Sequence, residues 1–220
     1  MHEEEANTAR FPLPLRNALA ELTIAGLGDE MAAMALAWLA DPDLALPAVA
    51  AARLAAVHLI DDPSRPALLA VHAPHAADTR AHAKRALLAR DVFARLGGRA
   101  SDDVGQAVRC AVALWNEELF FEVHEVLEAV WKTRAGDVRQ ALQGLIQIAV
   151  AYHHLGHGNL RGARTLLAEG RERLAAVPAT TLAGADVVGL LEETVPWLER
   201  LARNDAPAGP PPRLRASEMG

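Results

Sequence analysis

A single cysteine in 220 residues, Cys110, excludes an intrachain disulfide framework. Set in the run VRCAVALW, it reads as a small hydrophobe packed among apolar neighbours. Aromatic residues are scarce, at 4% of the chain, and extended runs of β-branched and aromatic residues are missing. A sheet core therefore has little to build on, whereas alanine, leucine and valine supply most of a 51% hydrophobic share. A basic excess is lacking as well. The net charge of -6 and pI near 5.8 give general nucleic-acid binding no electrostatic support.

Nowhere do about 18 uncharged apolar residues run together, as a membrane span requires. The nearest stretch, residues 31 to 60, is broken by Asp41, Pro42, Asp43, Pro47 and Arg53. The opening MHEEEANTAR is acidic and has no basic-then-apolar leader pattern. These features lead to the expectation of a cytoplasmic protein with no membrane partner. A small molecule or peptide as ligand, and assembly with further copies, are compatible with such a surface.

What is present is helix. Pro, Gly and Asp cut the chain into helix-length pieces. The stretch PLRNALAELTIAGLGDEMAAMALAWLADPD predicts two helices broken around Gly26 and Gly28. LPAVAAARLAAVHLIDDP predicts a third, and SRPALLAVHAPHAAD a short helix or an irregular connection. DTRAHAKRALLARDVFARLGG follows, ended by Gly97 and Gly98. From Ser101 the pattern tightens into five helices, the last spanning ADVVGLLEETVPWLERLARN. The proline-rich end APAGPPPRLRASEMG is expected to be disordered. The predicted architecture is an all-α, compact helical bundle over 101–203, with a helical N-terminal extension over 1–100 and a disordered tail over 204–220.

The chemistry concentrates in FFEVHEVLEAVW, residues 120 to 131. His124 and Glu128 lie about 40° apart around a helix, one turn apart along it. Glu125 is rotated about 100° away, which argues against a shared face. On the following long helix Gln143 and Gln147 are one turn apart, and His154 projects about 20° from Gln147. Two antiparallel helices would then bring His124, Glu128, Gln143, Gln147 and His154 into one polar stripe. Two histidines and a carboxylate make a ligand set with open positions for zinc, manganese or iron. Glu125 or Gln147 would orient a metal-activated water for hydrolysis. The string HEVLE departs from the zincin HExxH by ending in Glu128. The same stripe also fits a hydrogen-bonded network that only fixes helix register.

Elsewhere the turn HGNLRGA reads structurally. Gly158 takes a left-handed stop, Asn159 caps the next helix, and Gly162 and Ala163 allow close approach. Exposed N–H groups after Asn159 could also hold an anion, with Arg161 assisting. Arg161, Arg164, Arg171 and Arg173 read as the solvated face of one helix. His72, His75 and His82 form a loose set without carboxylates at useful spacing.

Together, FFEVHEVLEAVW, LQGLIQIAVAYHH and GNLRGARTLL resemble the domain of unknown function 309 family, over about 75 residues around Ala111 to Leu174. The resemblance implies a compact all-α domain of bacterial and archaeal proteins, some loosely labelled predicted metal-dependent hydrolase. Its pattern falls on Phe121, His124, Glu125, Glu128 and Trp131, then on Gln143, Gly144, Gln147 and His154, then on Gly158, Asn159, Gly162 and Ala163. The doubled histidine leaves His153 as a rival to His154, which helical projection favours. Two functions follow. One is a metal-dependent hydrolase with His124, Glu128 and His154 as ligands. The other is a noncatalytic interaction module, because HHLGHGNLRGARTLL also resembles the small-residue hairpin of tetratricopeptide-type repeats.

Overall fold

The computed structural model describes residues 11–99 and 103–217 and is all-α. Among the described residues the only extended pairing is an isolated antiparallel bridge between Ile60 and Leu68. The chain divides into two compact units. One comprises Ala9–Ala100; the other comprises Ser101–Gly220.

In the first unit, α1 (Leu13–Gly26), α2 (Glu30–Ala40), α3 (Ala48–Ala56) and α4 (Ala76–Arg95) enclose their own core. Helix α2 lies centrally, against α1, α3 and α4. It is rich in alanine because buried faces on several sides leave little room for long side chains. Leu15, Leu19, Leu36, Leu54 and Phe93 fill the remaining volume. Asp29 starts α2 by accepting the N–H groups of Met31 (2.8 Å) and Ala32 (3.3 Å). Those two bonds, with Arg53 beside them, hold its carboxyl below the ordinary carboxylate range. Helix α3 stops earlier than its apolar pattern predicts. His58 takes φ +57°, and Leu59 N–H returns to Leu54 O at 2.9 Å. The stretch after it is irregular, with one 3₁₀ turn at Ala73–His75.

Of the loose histidine set, His82 is buried on α4, within 3.1 Å of the Thr23 hydroxyl and edge-on to Phe11. Burial pushes its imidazole down from the ordinary 6.5 to about 3, with Arg85 opposing the charge.

The second unit contains α5 (Val104–Trp115), α6 (Phe120–Trp131), α7 (Gly136–Gly156), α8 (Leu160–Ala175), α9 (Val187–Glu193) and α10 (Val195–Ala202). The cap-type residues Ser101 and Asp102 lie outside the described residues; Asp103 caps α5 through Gly105 N–H. Helix α6 begins at Phe120, after the chain turns at Glu118 with φ +57°. Helix α7 runs between α6 and α8. The last predicted helix is two, α9 and α10. Pro196 has no N–H for the carbonyl four residues back, and Thr194 turns its hydroxyl to Leu190 O at 2.8 Å.

The tail expected to be disordered is instead an extended, anchored strap over its described part, 204–217. Trp115 Nε1 donates to Pro212 O at 2.8 Å and Asn116 Nδ2 to Leu214 O at 3.0 Å. Leu214 is fully buried, and Asp186 N–H donates to Arg215 O at 2.8 Å. Proline composition alone suggested disorder, but these long-range bonds offset the ordering cost.

One consequence concerns acid stability. The unfolded chain protonates His82 below about 6.5, whereas the folded chain does not until about 3. Its contribution is therefore complete above 6.5 and lost as pH falls through that window, at up to about 1.4 kcal/mol per pH unit. Urea denaturation between pH 6.5 and 4.5 should show this slope in the parent and a flatter profile in His82→Leu. Equal slopes would mean that His82 is not held neutral.

Candidate functional site

The polar stripe forms on the face of α6 and the C-terminal half of α7, but with different members from those projected. His124 Nδ1 lies 3.0 Å from Glu125 Oε1, so the ionised carboxylate accepts the imidazole N–H. The expectation that these neighbours cannot share a face is corrected; the long Glu125 side chain folds back to the ring. Glu128 makes no hydrogen bond to His124, although the ring lies near enough to favour its charged form. It accepts a hydrogen bond from Lys132 Nζ at 2.9 Å, one turn on. That bond holds the Glu128 carboxyl below the ordinary range.

On α7 the doubled histidine divides its labour. Phe121 stacks near His124, with centroids 6.2 Å apart, and reaches His153 at 6.1 Å. His153 meets His157 at 4.4 Å, and His157 Nδ1 donates to His153 O at 2.7 Å. His153 therefore faces α6. His154 turns the other way, its Nδ1 accepting from Asn159 Nδ2 at 3.1 Å. The projection that favoured His154 took Gln147 as its reference for the α6 side. Gln147 faces α8, donating to Glu169 Oε2 at 2.7 Å. Residues aligned with it face α8 as well, and a residue about 100° away faces α6. Gln147 keeps a buried Oε1 without a hydrogen-bond partner. Gln143 is half-buried on the same helix.

Phe121 thus bridges two histidines, a role that its place in the family pattern alone did not indicate. The signal was its i,i+3 spacing to His124. The turn between α7 and α8 is built as predicted. Gly158 has φ +71°, and Asn159 Oδ1 accepts from Gly162 N–H at 2.9 Å. Gly162, however, is tight against Asn159, at 2.6 Å for an added Cβ, not against a neighbouring helix. The close helix crossing lies at Gly144 and Gly170. A Cβ on Gly170 would stand 2.7 Å from Gly144 O, and one on Gly144 2.8 Å from Gly170 O.

Arg171 departs from the solvated face assigned to it. Its guanidinium donates to Leu191 O and the Thr194 hydroxyl at the α9–α10 junction, and partial burial lowers its pKa. Nearby, Tyr152 touches Trp115, Phe120 and Trp197, and burial raises its phenol above the ordinary value. Trp131 carries the Arg139 guanidinium 3.8 Å above its ring. Cys110 is pushed up to about 12 by burial, which suits an inert packed thiol.

A metal would need several of these donors at one point. Among the described residues no three His, Cys, Asp or Glu side chains are placed to hold one ion. His124, Glu128 and His154 each contact a different local partner, so they are not assembled as a ligand set.

Residues 108–166 match the family model described as a domain of unknown function (DUF309). The match spans α5 to the first turns of α8, so the resemblance read from the three sequence blocks is upheld over this segment. No curated protein and no solved structure matches the chain. No helix of the described residues is long and apolar enough to cross a membrane.

The Gly144–Gly170 crossing generates a stability prediction. Gly→Ala within a helix ordinarily gains up to about 1 kcal/mol. At Gly170 the added carbon meets a backbone carbonyl, which cannot swing aside without parting α7 from α8. Gly170→Ala should instead lose about 1–3 kcal/mol, read as a lower urea midpoint. A midpoint equal to or above the parent's would mean the helices do not meet so closely.

Proposed function

We propose that the helical unit carrying the family segment is a binding module for an acidic protein segment, recognised at the tip of the α7–α8 hairpin. The observation that carries this is charge. From Ala151 to Ala168 the sequence holds three histidines and two arginines and no carboxylate. Arg161 and Arg164 are exposed, one turn apart on α8, and their side chains make no hydrogen bond or ion pair with another described residue. They project beside the positive N-terminal end of that helix, which adds to the attraction for an anionic partner. Phe121, half-buried among His124 and His153, offers an apolar contact within the same unit.

The hydrolase reading would require His124, Glu128 and His154 to converge, and their separate pairings favour the binding reading over it. Glu125 serves there to fix the His124 tautomer, and Gln147 ties α7 to Glu169.

The test uses a fluorescein-labelled peptide of alternating glutamate and leucine, followed by anisotropy. Binding is expected to weaken as salt screens the contact, and by at least about tenfold in Arg161→Glu/Arg164→Glu. A lysine–leucine peptide should not bind. Elemental analysis of the protein purified without chelator, beside His124→Ala/Glu128→Ala, is the second arm. Near-stoichiometric metal in the parent alone would overturn the binding reading in favour of the hydrolase.

A further inference from the structure

The unit Ala9–Ala100 lies outside the family match and contains a cavity of about 470 Å³. That volume is in the range of small-molecule sites. Its wall is largely apolar, formed by Trp38, Leu44, Leu46 and Leu68, with Thr79 and Arg80 contributed by α4. Leu44, on its rim, is about half exposed (49%).

Two polar features break this apolar surface. Thr79 is 2% exposed, yet its Oγ1 has no hydrogen-bond partner. A helical threonine commonly satisfies its hydroxyl on a carbonyl of the preceding turn; here that economy is forgone. Arg80 is exposed, and its side chain makes no hydrogen bond or ion pair with another described residue. Both sit in the first turns of a 20-residue helix whose N-terminus has no side-chain cap. The helix dipole is positive at that end. Asp41 and Asp43 flank Pro42 in sequence, but neither contributes to the wall.

We infer that this cavity is a binding site for a small amphiphilic monocarboxylate. The apolar body lies against Trp38, Leu44, Leu46 and Leu68, and the carboxylate meets the Arg80 guanidinium. A neutral ligand would leave the charge at Arg80 unused, and an organic amine would be repelled by it. The inference is independent of the acidic-segment reading, since it rests on a different unit.

Isothermal titration of the full chain with octanoate, octan-1-ol and octylamine separates these cases. Saturable 1:1 binding of octanoate is expected, with octylamine much weaker. Arg80→Gln, an exposed substitution, should weaken octanoate by about tenfold or more while leaving octan-1-ol nearly unchanged. Ala67→Phe, which fills the cavity, should weaken both. Thermal melts of each variant check that the fold is kept. Absence of octanoate binding, equal binding of octylamine, or octanoate affinity unchanged in Arg80→Gln would overturn the inference. The last result would move the ligand elsewhere, for example to another cavity of this unit, bordered by His58 and His72.

Discussion

The close crossing of α7 and α8 at Gly144 and Gly170 is the constraint on which the second unit depends. With no Cβ at either position, each backbone carbonyl comes where the other helix would otherwise place a side chain. That proximity fixes the rotation of α7 about its own axis. Gln147 is committed to Glu169 and His154 to Asn159, on the side of α8. His153 is left on the side of α6, where Phe121 and His124 receive it. A shift of one residue in this register would rotate every side chain of α7 by about 100° and part His153 from Phe121.

The scarce aromatic residues are concentrated rather than spread. Trp115, Phe120, Tyr152 and Trp197 form edge and tilted contacts that join α5, α6, α7 and α10. The tail closes over one side of this group through the Trp115 indole and the buried Leu214. Arg171 holds the α9–α10 break from α8. An arginine spent in this way leaves Arg161 and Arg164, nearer the hairpin tip, to face solvent. The charged surface and the structural ties thus come from the same helix by position along it.

The two units divide their chemistry. The family match covers only α5 to the start of α8, where His124, Glu128, Gln147 and His154 each have a side-chain partner and Arg161 and Arg164 are exposed near the hairpin tip. The Ala9–Ala100 unit has its own core, a buried neutral His82 and an apolar cavity with a guanidinium at Arg80. Acidic partners for one and a carboxylate for the other would both be recognised by fixed positive groups.

Much of the fold was legible because its signals are local. Helix-period apolar residues, the stops near Gly26, Gly97 and Gly158, and the Asn159 cap act within a turn or two of chain. The family blocks were legible for the same reason, as short runs at fixed spacing. The break at Pro196 was legible in principle, since proline removes a helix hydrogen bond wherever it stands. The tertiary structure alone decided which face of α7 met which neighbour, and so which histidine joined His124. It also decided that Glu128 turned to Lys132, that Arg171 left the solvated face, and that the proline-rich tail became a strap. Each of these depends on contacts between residues far apart in sequence, whose fit is set by packing and not by the pattern along any single helix.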